Sequence, residues 1–286
     1  MIKLNKPDFN QAEIIDECIE NMNDADVKNR ILSSKNTIVD ISKKYDKIAE
    51  DMELATIPVH SKIKGGATKA DMEWLYTNKF ARQNEKGRKY YDAIKILPPY
   101  GTCPFCGQRK VSTLDHYLPK SKYPVYSITP YNLVAACSEC NKVKSATVFN
   151  SRTEETIHPY YDDFNDGIWL KAKILEEDPI SFMFYVEKPD KWDDEKYQRA
   201  QNHFKAYELQ SLYQSHASEE FSEYSYSLRR LYKVGNAKLV KDDIEERINS
   251  ARSLRLNTWR AAMYEALKNC TWFFDTYLIQ TSGALF

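Results

Sequence analysis

The chain of 286 residues lacks three features that would place it in a special class of protein. It has no apolar run of roughly 18 residues, so the sequence predicts no membrane-spanning helix. It has no net charge, because 41 Lys and Arg residues balance 41 Asp and Glu residues, and no overall field therefore attracts nucleic acid. It has no internal repeat or low-complexity tract, and its 42% apolar and 13% aromatic content predicts a folded globular protein.

The sequence also predicts no secretory signal. The chain begins Met-Ile-Lys-Leu-Asn and continues into polar sequence without the apolar core of a signal peptide. Paired thiols in such a chain favour metal ligation in a reducing compartment over disulfides, so we expect a cytoplasmic protein without a membrane partner. Of the six cysteines, Cys18 and Cys270 occur singly within helical patterns, and core packing is the predicted role of both.

The first part of the chain has the periodicity of helices. Residues 8–56 carry two apolar stripes with spacings of three and four, which predicts an antiparallel helix pair joined near 23–26. A dimerising coiled coil is the alternative, although the repeat is short for one. A further helix is predicted to begin at Thr68 or Lys69. In its continuation, Tyr90 and Tyr91 are expected to be packed rather than to stack on bases.

The last part of the chain combines strand and helix patterns. Two short strands are predicted over 169–174 and 181–186. A long helical pattern follows from 193 to about 233, is broken at Gly235-Asn236, and is followed by a last helix or helix pair over 242–279. We therefore divide the chain into an N-terminal helical region (1–97), a central core (98–165) and a C-terminal helical region (166–286).

The central core contains two Cys-x-x-Cys pairs. Each pair can place two thiolates on one turn, and four thiolates match the tetrahedral preference of zinc. Zinc ribbons usually separate such pairs by about 15–20 residues, whereas thirty residues separate Cys106 from Cys137. The sequence thus predicts a structural zinc site with a long insertion, whose ligands are Cys103, Cys106, Cys137 and Cys140.

The insertion and its flanks carry residues suited to phosphodiester hydrolysis. A neutral imidazole such as His116 accepts a proton near pH 7, because its ordinary pKa is about 6.5. The carboxylate of Asp115 and the amide oxygen of Asn141 are oxygen ligands of the kind that a hard divalent cation prefers. Since neighbouring residues of a strand point to opposite faces, we expect Asp115 and His116 at a strand end or bulge.

In order and spacing, the segment 103–144 resembles the HNH endonucleases, whose ββα-metal core holds one catalytic cation between a hairpin and a helix. The resemblance implies His116 as general base, Asp115 and Asn141 as ligands of catalytic Mg²⁺ or Mn²⁺, and the four cysteines as ligands of structural Zn²⁺. It also implies that Asn132 braces the connecting loop and thereby orients the imidazole. The last motif position departs from the family name, because it is Asn141 rather than His, and Asn makes zinc less suited to the catalytic site.

Basic residues are concentrated around this segment. Between residues 79 and 144 twelve Lys and Arg residues accompany only four acidic ones, a local patch that attracts nucleic acid if it is not a solvated face. Lys120, Lys142 and Lys144 are candidate phosphate contacts, with ordinary surface lysines as the equal alternative. The resemblance favours DNA as the substrate and leaves RNA, including transfer RNA, open, because the core contacts backbone rather than bases.

Two further segments, 114–124 and 158–164, are similar to the HNH subunits of bacterial anti-phage systems of the Septu type and their retron-linked relatives. In those systems the nuclease works with an ABC-type ATPase. This chain has no Gly-x-x-x-x-Gly-Lys phosphate loop, which fits an ATPase carried by a partner protein. His158, in the second of these segments, is predicted to be structural rather than catalytic.

These observations predict an α+β, mostly helical protein in which a small zinc-stabilised ββα-metal core is flanked by helical regions. They predict a metal-dependent endonuclease that serves as the effector nuclease of an anti-phage system. The alternative is a zinc-containing nucleic-acid-binding or scaffold subunit without catalysis, in which His116 faces solvent.

Overall fold

The computed structural model describes residues 1–177 and 179–283. Residue 178 and residues 284–286 of the predicted C-terminal region lie outside this range. Helices predominate and are accompanied by two antiparallel sheets of two strands each, which confirms the α+β, mostly helical class. The chain forms two compact units, of which the first is Met1–Asp163 and the second begins at Phe164. The N-terminal helices and the cysteine segment thus belong to the same unit.

The first unit begins with the predicted pair of helices. Helix α1 (Gln11–Glu20) and helix α2 (Ala25–Glu50) are separated by a short connection. Each begins at a polar residue whose side chain accepts a hydrogen bond from a backbone N–H of the first turn, Asn10 for α1 and Asp24 for α2. These acceptors satisfy N–H groups that have no partner within the helix, which explains where both helices start.

Helix α3 (Lys69–Leu75) begins at one of the two predicted positions, and Thr68 caps it in a capping box with Asp71. Thr68 accepts a hydrogen bond from the Asp71 backbone, and the Asp71 carboxylate accepts one from the Thr68 backbone. The same carboxylate accepts two hydrogen bonds from Arg30 of α2, at 2.9 and 2.8 Å. The pair fixes α3 against α2, and the chain continues from α3 into a π-helical turn, Tyr76–Phe80.

The centre of the first unit is a hairpin followed by a short helix. After helix α4 (Arg88–Lys95), strand β1 (Thr113–His116) pairs antiparallel with strand β2 (Leu133–Ala136). In this register His116, the last residue of β1, lies opposite the first residue of β2. Helix α5 (Ser138–Lys144) follows directly. The order of elements is therefore strand, strand, helix, and His116 lies at a strand end as expected.

The second unit contains the other sheet and the long helices. The predicted strands are confirmed as β3 (Leu170–Leu175) and β4 (Ser181–Val186), an antiparallel pair. Large apolar side chains, including Trp169, Phe182 and Phe273, are fully buried in this unit. The helices are α6 (Asp194–Ala206), α7 (Leu209–Leu254), α8 (Trp259–Asn269) and α9 (Leu278–Gly283), the last preceded by a π-helical turn, Phe273–Tyr277.

Two predicted helix boundaries in this unit are corrected. The pattern over 193–233 is two helices rather than one, because Glu208 has the left-handed backbone conformation (φ +51°), which helices do not continue through. The predicted break at Gly235 and Asn236 is present, where Asn236 has φ +60°, but α7 resumes beyond it. The segment 242–279 therefore comprises the end of α7, then α8, the π-helical turn and the start of α9.

The single cysteines differ in their surroundings. Cys18 is buried in α1, as predicted. Cys270 directly follows α8 and is only half-buried, so the prediction that it packs in the core is wrong. Over residues 1–177 and 179–283, none of the helices has both the length and the apolar character that crossing a bilayer requires.

The Arg30–Asp71 pair predicts a stability that depends on pH. Hydrogen bonds from Arg30 hold the pKa of Asp71 at about 2, below the value of about 3.9 in an unfolded chain. A lowered pKa stabilises the fold above the unfolded value, and this contribution is lost as the pH falls from about 4 through 2. We expect Asp71→Asn to lower the free energy of unfolding by about 1–3 kcal/mol at pH 7 and by less at pH 3, measured by hydrogen exchange of residues 1–163.

Asp16→Asn is the matched control. Asp16 forms an ion pair with Lys35, but its side chain is 54% exposed, and an exposed pair contributes less than about 1 kcal/mol. Equal losses in the two variants, or a loss in Asp71→Asn that does not shrink at pH 3, would contradict the prediction.

Candidate functional site

The four paired cysteines form one buried cluster in the first unit. Each offers a sulfur atom, and the four sulfurs lie within 4.8 Å of one another. Backbone N–H groups donate to two of them, from Arg109 to Cys106 Sγ and from Cys140 to Cys137 Sγ, both at 3.4 Å. Four sulfur ligands around one point can hold a metal ion such as zinc. The cluster joins the loop before β1 to the junction between β2 and α5.

A separate cavity of about 430 Å³ lies at the end of the hairpin. Asp115 and His116 of β1 line it from one side, and Asn141 of α5 lines it from another. The structure therefore brings together the three residues that the sequence assigned to the catalytic centre. The remaining lining includes Tyr76, Lys120 and Ser145.

The imidazole of His116 is held in one orientation. Its Nε2 lies 2.9 Å from the carbonyl oxygen of Ser127, and because a carbonyl only accepts, Nε2 must carry the proton. In the neutral ring Nδ1 is then the free acceptor. The ring of Tyr76 meets the imidazole edge to face, with centroids 4.4 Å apart. Burial and the charge on Lys120 lower the pKa of His116 to about 3, so the imidazole is neutral at pH 7.

Asp115 faces a cation from the same chain. Its Oδ2 lies 2.9 Å from Nζ of Lys144, and both side chains are nearly inaccessible, at 3% and 1% exposure. Nζ also donates to the carbonyl oxygen of His116, at 2.6 Å. Burial raises the pKa of the Asp115 carboxyl, and the Lys144 ammonium acts in the opposite direction. Oδ2 accepts no hydrogen bond of favourable geometry, and the Lys144 ammonium is its charged partner in the structure.

The prediction that Lys144 contacts phosphate from the surface is wrong. Lys144 lies one helical turn after Cys140, whose sulfur belongs to the buried cluster, and the two therefore share a face of α5. That face is turned toward the hairpin. Lys142 lies on the exposed side of the same helix, where the prediction that it contacts phosphate stands.

Asn132 is fully buried and binds the loop between the strands. Its Oδ1 accepts from the backbone N–H of Leu118, at 2.7 Å, and its Nδ2 donates to the carbonyl oxygens of Leu118 and Tyr126, at 2.9 and 3.3 Å. The backbone N–H of Tyr117 donates to the Asn132 carbonyl oxygen. These contacts hold the residues that follow His116, as the predicted bracing role of Asn132 requires.

Asn132 is supported from behind by Tyr45, which the sequence did not single out, and by His158, which the sequence predicts to be structural. The hydroxyl of Tyr45, on α2, donates to Asn132 Oδ1 at 3.2 Å and lies 3.4 Å from Nε2 of His158. Because Nδ1 of His158 accepts from the Tyr160 backbone, Nε2 carries the proton in the neutral ring. His158 therefore lies behind the loop rather than in the cavity. Tyr45 belongs to an apolar stripe of α2, a pattern that carries no sign of this role.

The basic residues of the predicted patch differ in their ion pairs. Four of those around α4 form ion pairs with acids: Lys79–Glu85, Lys86–Glu20, Arg88–Asp92 and Lys89–Glu17. Two of these acids, Glu17 and Glu20, lie on α1 outside the basic segment, so part of the local excess is neutralised. Tyr90 and Tyr91 are buried, as predicted. Lys120 lines the cavity with its ammonium 4.4 Å from the Tyr76 ring centroid, and within the described residues it has no ion-pair partner.

Comparison with known proteins gives one relative of similar length. Protein ea31 of Escherichia phage lambda is 29% identical over 294 residues, which cover 96% of this chain and 99% of that protein. No protein-family model matches the chain, and no solved structure matches it. The match covers nearly the whole chain, and therefore the helical regions as well as the central segment.

We expect the purified protein to contain one zinc ion and Cys137→Ser to lose it. Because bound metal contributes folding energy directly, the free energy of unfolding of the first unit should fall by more than about 4 kcal/mol. Metal content by mass spectrometry and hydrogen exchange of residues 1–163 measure the two effects. Cys270→Ser is the control, since this half-buried thiol lies outside the cluster, and a loss of zinc in both variants would contradict the assignment.

The two asparagines of the motif should behave differently. Asn132→Ala leaves several buried backbone groups without a partner and should cost about 3 kcal/mol of stability. Asn141→Ala should change stability by less than about 0.5 kcal/mol, because the Asn141 side chain forms no hydrogen bond with any residue that the structure describes. Urea unfolding, followed by hydrogen exchange of the first unit, measures the free energy of unfolding of each variant. An equal loss in both variants would contradict the bracing role of Asn132.

Proposed function

We propose that this protein is a metal-dependent HNH-type endonuclease that hydrolyses phosphodiester bonds. One observation carries the proposal: Asp115, His116 and Asn141 line a single cavity, in which the imidazole is fixed through Nε2 and its Nδ1 is left as acceptor. A histidine facing solvent, as in a zinc module without catalysis, needs neither this fixed tautomer nor oxygen donors beside it.

The secondary-structure elements around the cavity support the same proposal. The residues follow the order strand, strand, helix, with His116 at the end of the first strand and Asn141 on the helix. Asn132 has the contacts of a bracing residue, and the four cysteines lie beneath the junction of hairpin and helix. The HNH resemblance implies each of these positions.

The donors in the cavity suit Mg²⁺ or Mn²⁺. Asp115 Oδ2 is buried without a well-formed hydrogen bond, and Asn141 contributes an amide to the same cavity. One or two protein oxygens, completed by water and substrate phosphate, are a common ligand set for Mg²⁺. A cation held there neutralises the phosphate and stabilises the leaving oxygen.

The residues of the chain supply the other requirements. His116 Nδ1 accepts a proton from the attacking water, and this water attacks in line with the leaving oxygen, giving 5′-phosphate and 3′-hydroxyl products. The Lys120 ammonium provides a positive charge for the phosphate. A phosphate beside Lys120 also offsets one cause of the low pKa of His116 and makes the imidazole a stronger base.

We propose DNA as the substrate ahead of RNA, as the HNH resemblance favours. RNA is the second candidate, because a core of this kind contacts the nucleic-acid backbone rather than the bases. A partner ATPase and a role in anti-phage defence follow from the resemblance of segments 114–124 and 158–164. A relative of nearly equal length occurs in a phage, so we propose nuclease activity as the function and anti-phage defence as one setting for it.

We expect His116→Ala to lower the rate of cleavage about 10²- to 10⁴-fold, the usual contribution of a general base. Plasmid DNA and RNA are incubated with the protein and Mg²⁺ or Mn²⁺, and the same variants are expressed with a candidate ATPase to compare toxicity. His216→Ala, in the second unit beside Trp259, is the control. Equal activity of His116→Ala and wild type, with folding and zinc content unchanged, would favour the non-catalytic subunit.

A further inference from the structure

The cavity has a positive balance of charge in the absence of substrate. Asp115 and Lys144 form a buried pair, whose net charge is zero whether the shared proton resides on nitrogen or on oxygen. The Asn141 amide carries no charge. Lys120 adds one positive charge, because it lines the cavity without an ion-pair partner in the described part of the chain. Glu73 acts on Lys120 through space but does not line the cavity.

Lys144 also occupies Oδ2 of Asp115, the oxygen that a divalent cation needs. Any cation bound to Oδ2 of Asp115 competes with an ammonium 2.9 Å from that oxygen. The ammonium cannot withdraw to solvent without cost, since its side chain is 1% exposed and Nζ donates to the His116 carbonyl oxygen. The free protein therefore offers Mg²⁺ or Mn²⁺ a carboxylate whose charge is already compensated.

A phosphodiester supplies what the cavity lacks. It carries one negative charge, and its non-bridging oxygens are ligands that Mg²⁺ commonly uses in addition to protein carboxylates. With a phosphate beside Lys120 the balance of charge changes from positive to neutral, which favours entry of the cation.

We propose that Lys144 makes binding of the catalytic cation depend on nucleic acid, an inference that rests on the proposed function. The free protein binds the cation weakly, and a bound phosphodiester strengthens that binding. Coupling between two ligands is reciprocal, so the cation strengthens nucleic-acid binding by the same factor. Lys144 acts as a positioning residue, because it contacts Asp115 and the His116 main chain rather than the substrate. Such coupling keeps the cavity free of metal until a substrate is present.

The test measures metal binding rather than cleavage. The full chain carrying His116→Ala, which removes a neutral group and prevents cutting, is titrated with Mn²⁺ and followed by electron paramagnetic resonance, with and without a short DNA duplex. We expect the duplex to lower the Kd for Mn²⁺ about 5- to 150-fold, the usual range of such coupling. Adding Lys144→Met should lower the Kd without DNA and bring the ratio of the two Kd values toward one.

Lys43→Met is the control, because Lys43 is exposed on α2, does not line the cavity and should leave the ratio unchanged. Zinc content and thermal unfolding verify that each variant folds. Where Lys144→Met does not fold, Lys120→Met tests the same charge balance and should also tighten Mn²⁺ binding in the absence of DNA. A Kd that is the same with and without DNA, or that is unchanged or raised by the lysine substitution, overturns the inference.

Asp115→Asn separates this inference from the function on which it rests. If Mn²⁺ binding depends on Asp115 but responds neither to DNA nor to Lys144, the metal site stands and the coupling is wrong. If Mn²⁺ binding does not depend on Asp115 with or without DNA, the cavity is not a metal site, and both the coupling and the proposed function are overturned.

Discussion

The end of strand β1 is held in place by three separate parts of the first unit, and the geometry of the cavity depends on this constraint. Lys144 of α5 binds the carbonyl oxygen of His116, and Asn132 binds both backbone polar groups of Leu118, two residues later. Ser127 fixes the imidazole itself through Nε2. Main chain and side chain are therefore specified independently, which is what a site that must present one ring nitrogen requires.

The N-terminal helices belong to this constraint and are not only a flank. Tyr45 reaches from α2 to Asn132, and Tyr76, positioned by the capped start of α3, packs against the His116 ring. A buried polar network is stable only when each of its members has a partner. The loop after β1 obtains some of those partners from α2, so a segment limited to the hairpin and α5 lacks groups that the site uses.

The sequence predicts local features of this arrangement well and its contacts less well. Thr68 marks the start of α3, the alternating pattern marks β3 and β4, and the cysteine pairs mark the cluster, because each signal is complete within a few residues. The inward position of Lys144 depends on which face of α5 meets the hairpin, and only its spacing from Cys140 indicates it. Ion pairs such as Lys89–Glu17 join residues far apart in the chain, which explains why a count of basic residues overstates the patch.

Helix α5 connects the four-sulfur cluster with the cavity. Cys140 and Asn141 are adjacent, and because neighbouring residues of a helix point about 100° apart, one side chain joins the sulfur cluster while the next faces the cavity. A metal at the four sulfurs fixes the rotation of α5, and with it the positions of the Asn141 amide and of Lys144. Soft sulfur ligands and hard oxygen ligands select different metals, so the four cysteines and the oxygen donors of the cavity suit different ions. The cluster can then set the geometry of the cavity without taking part in its chemistry.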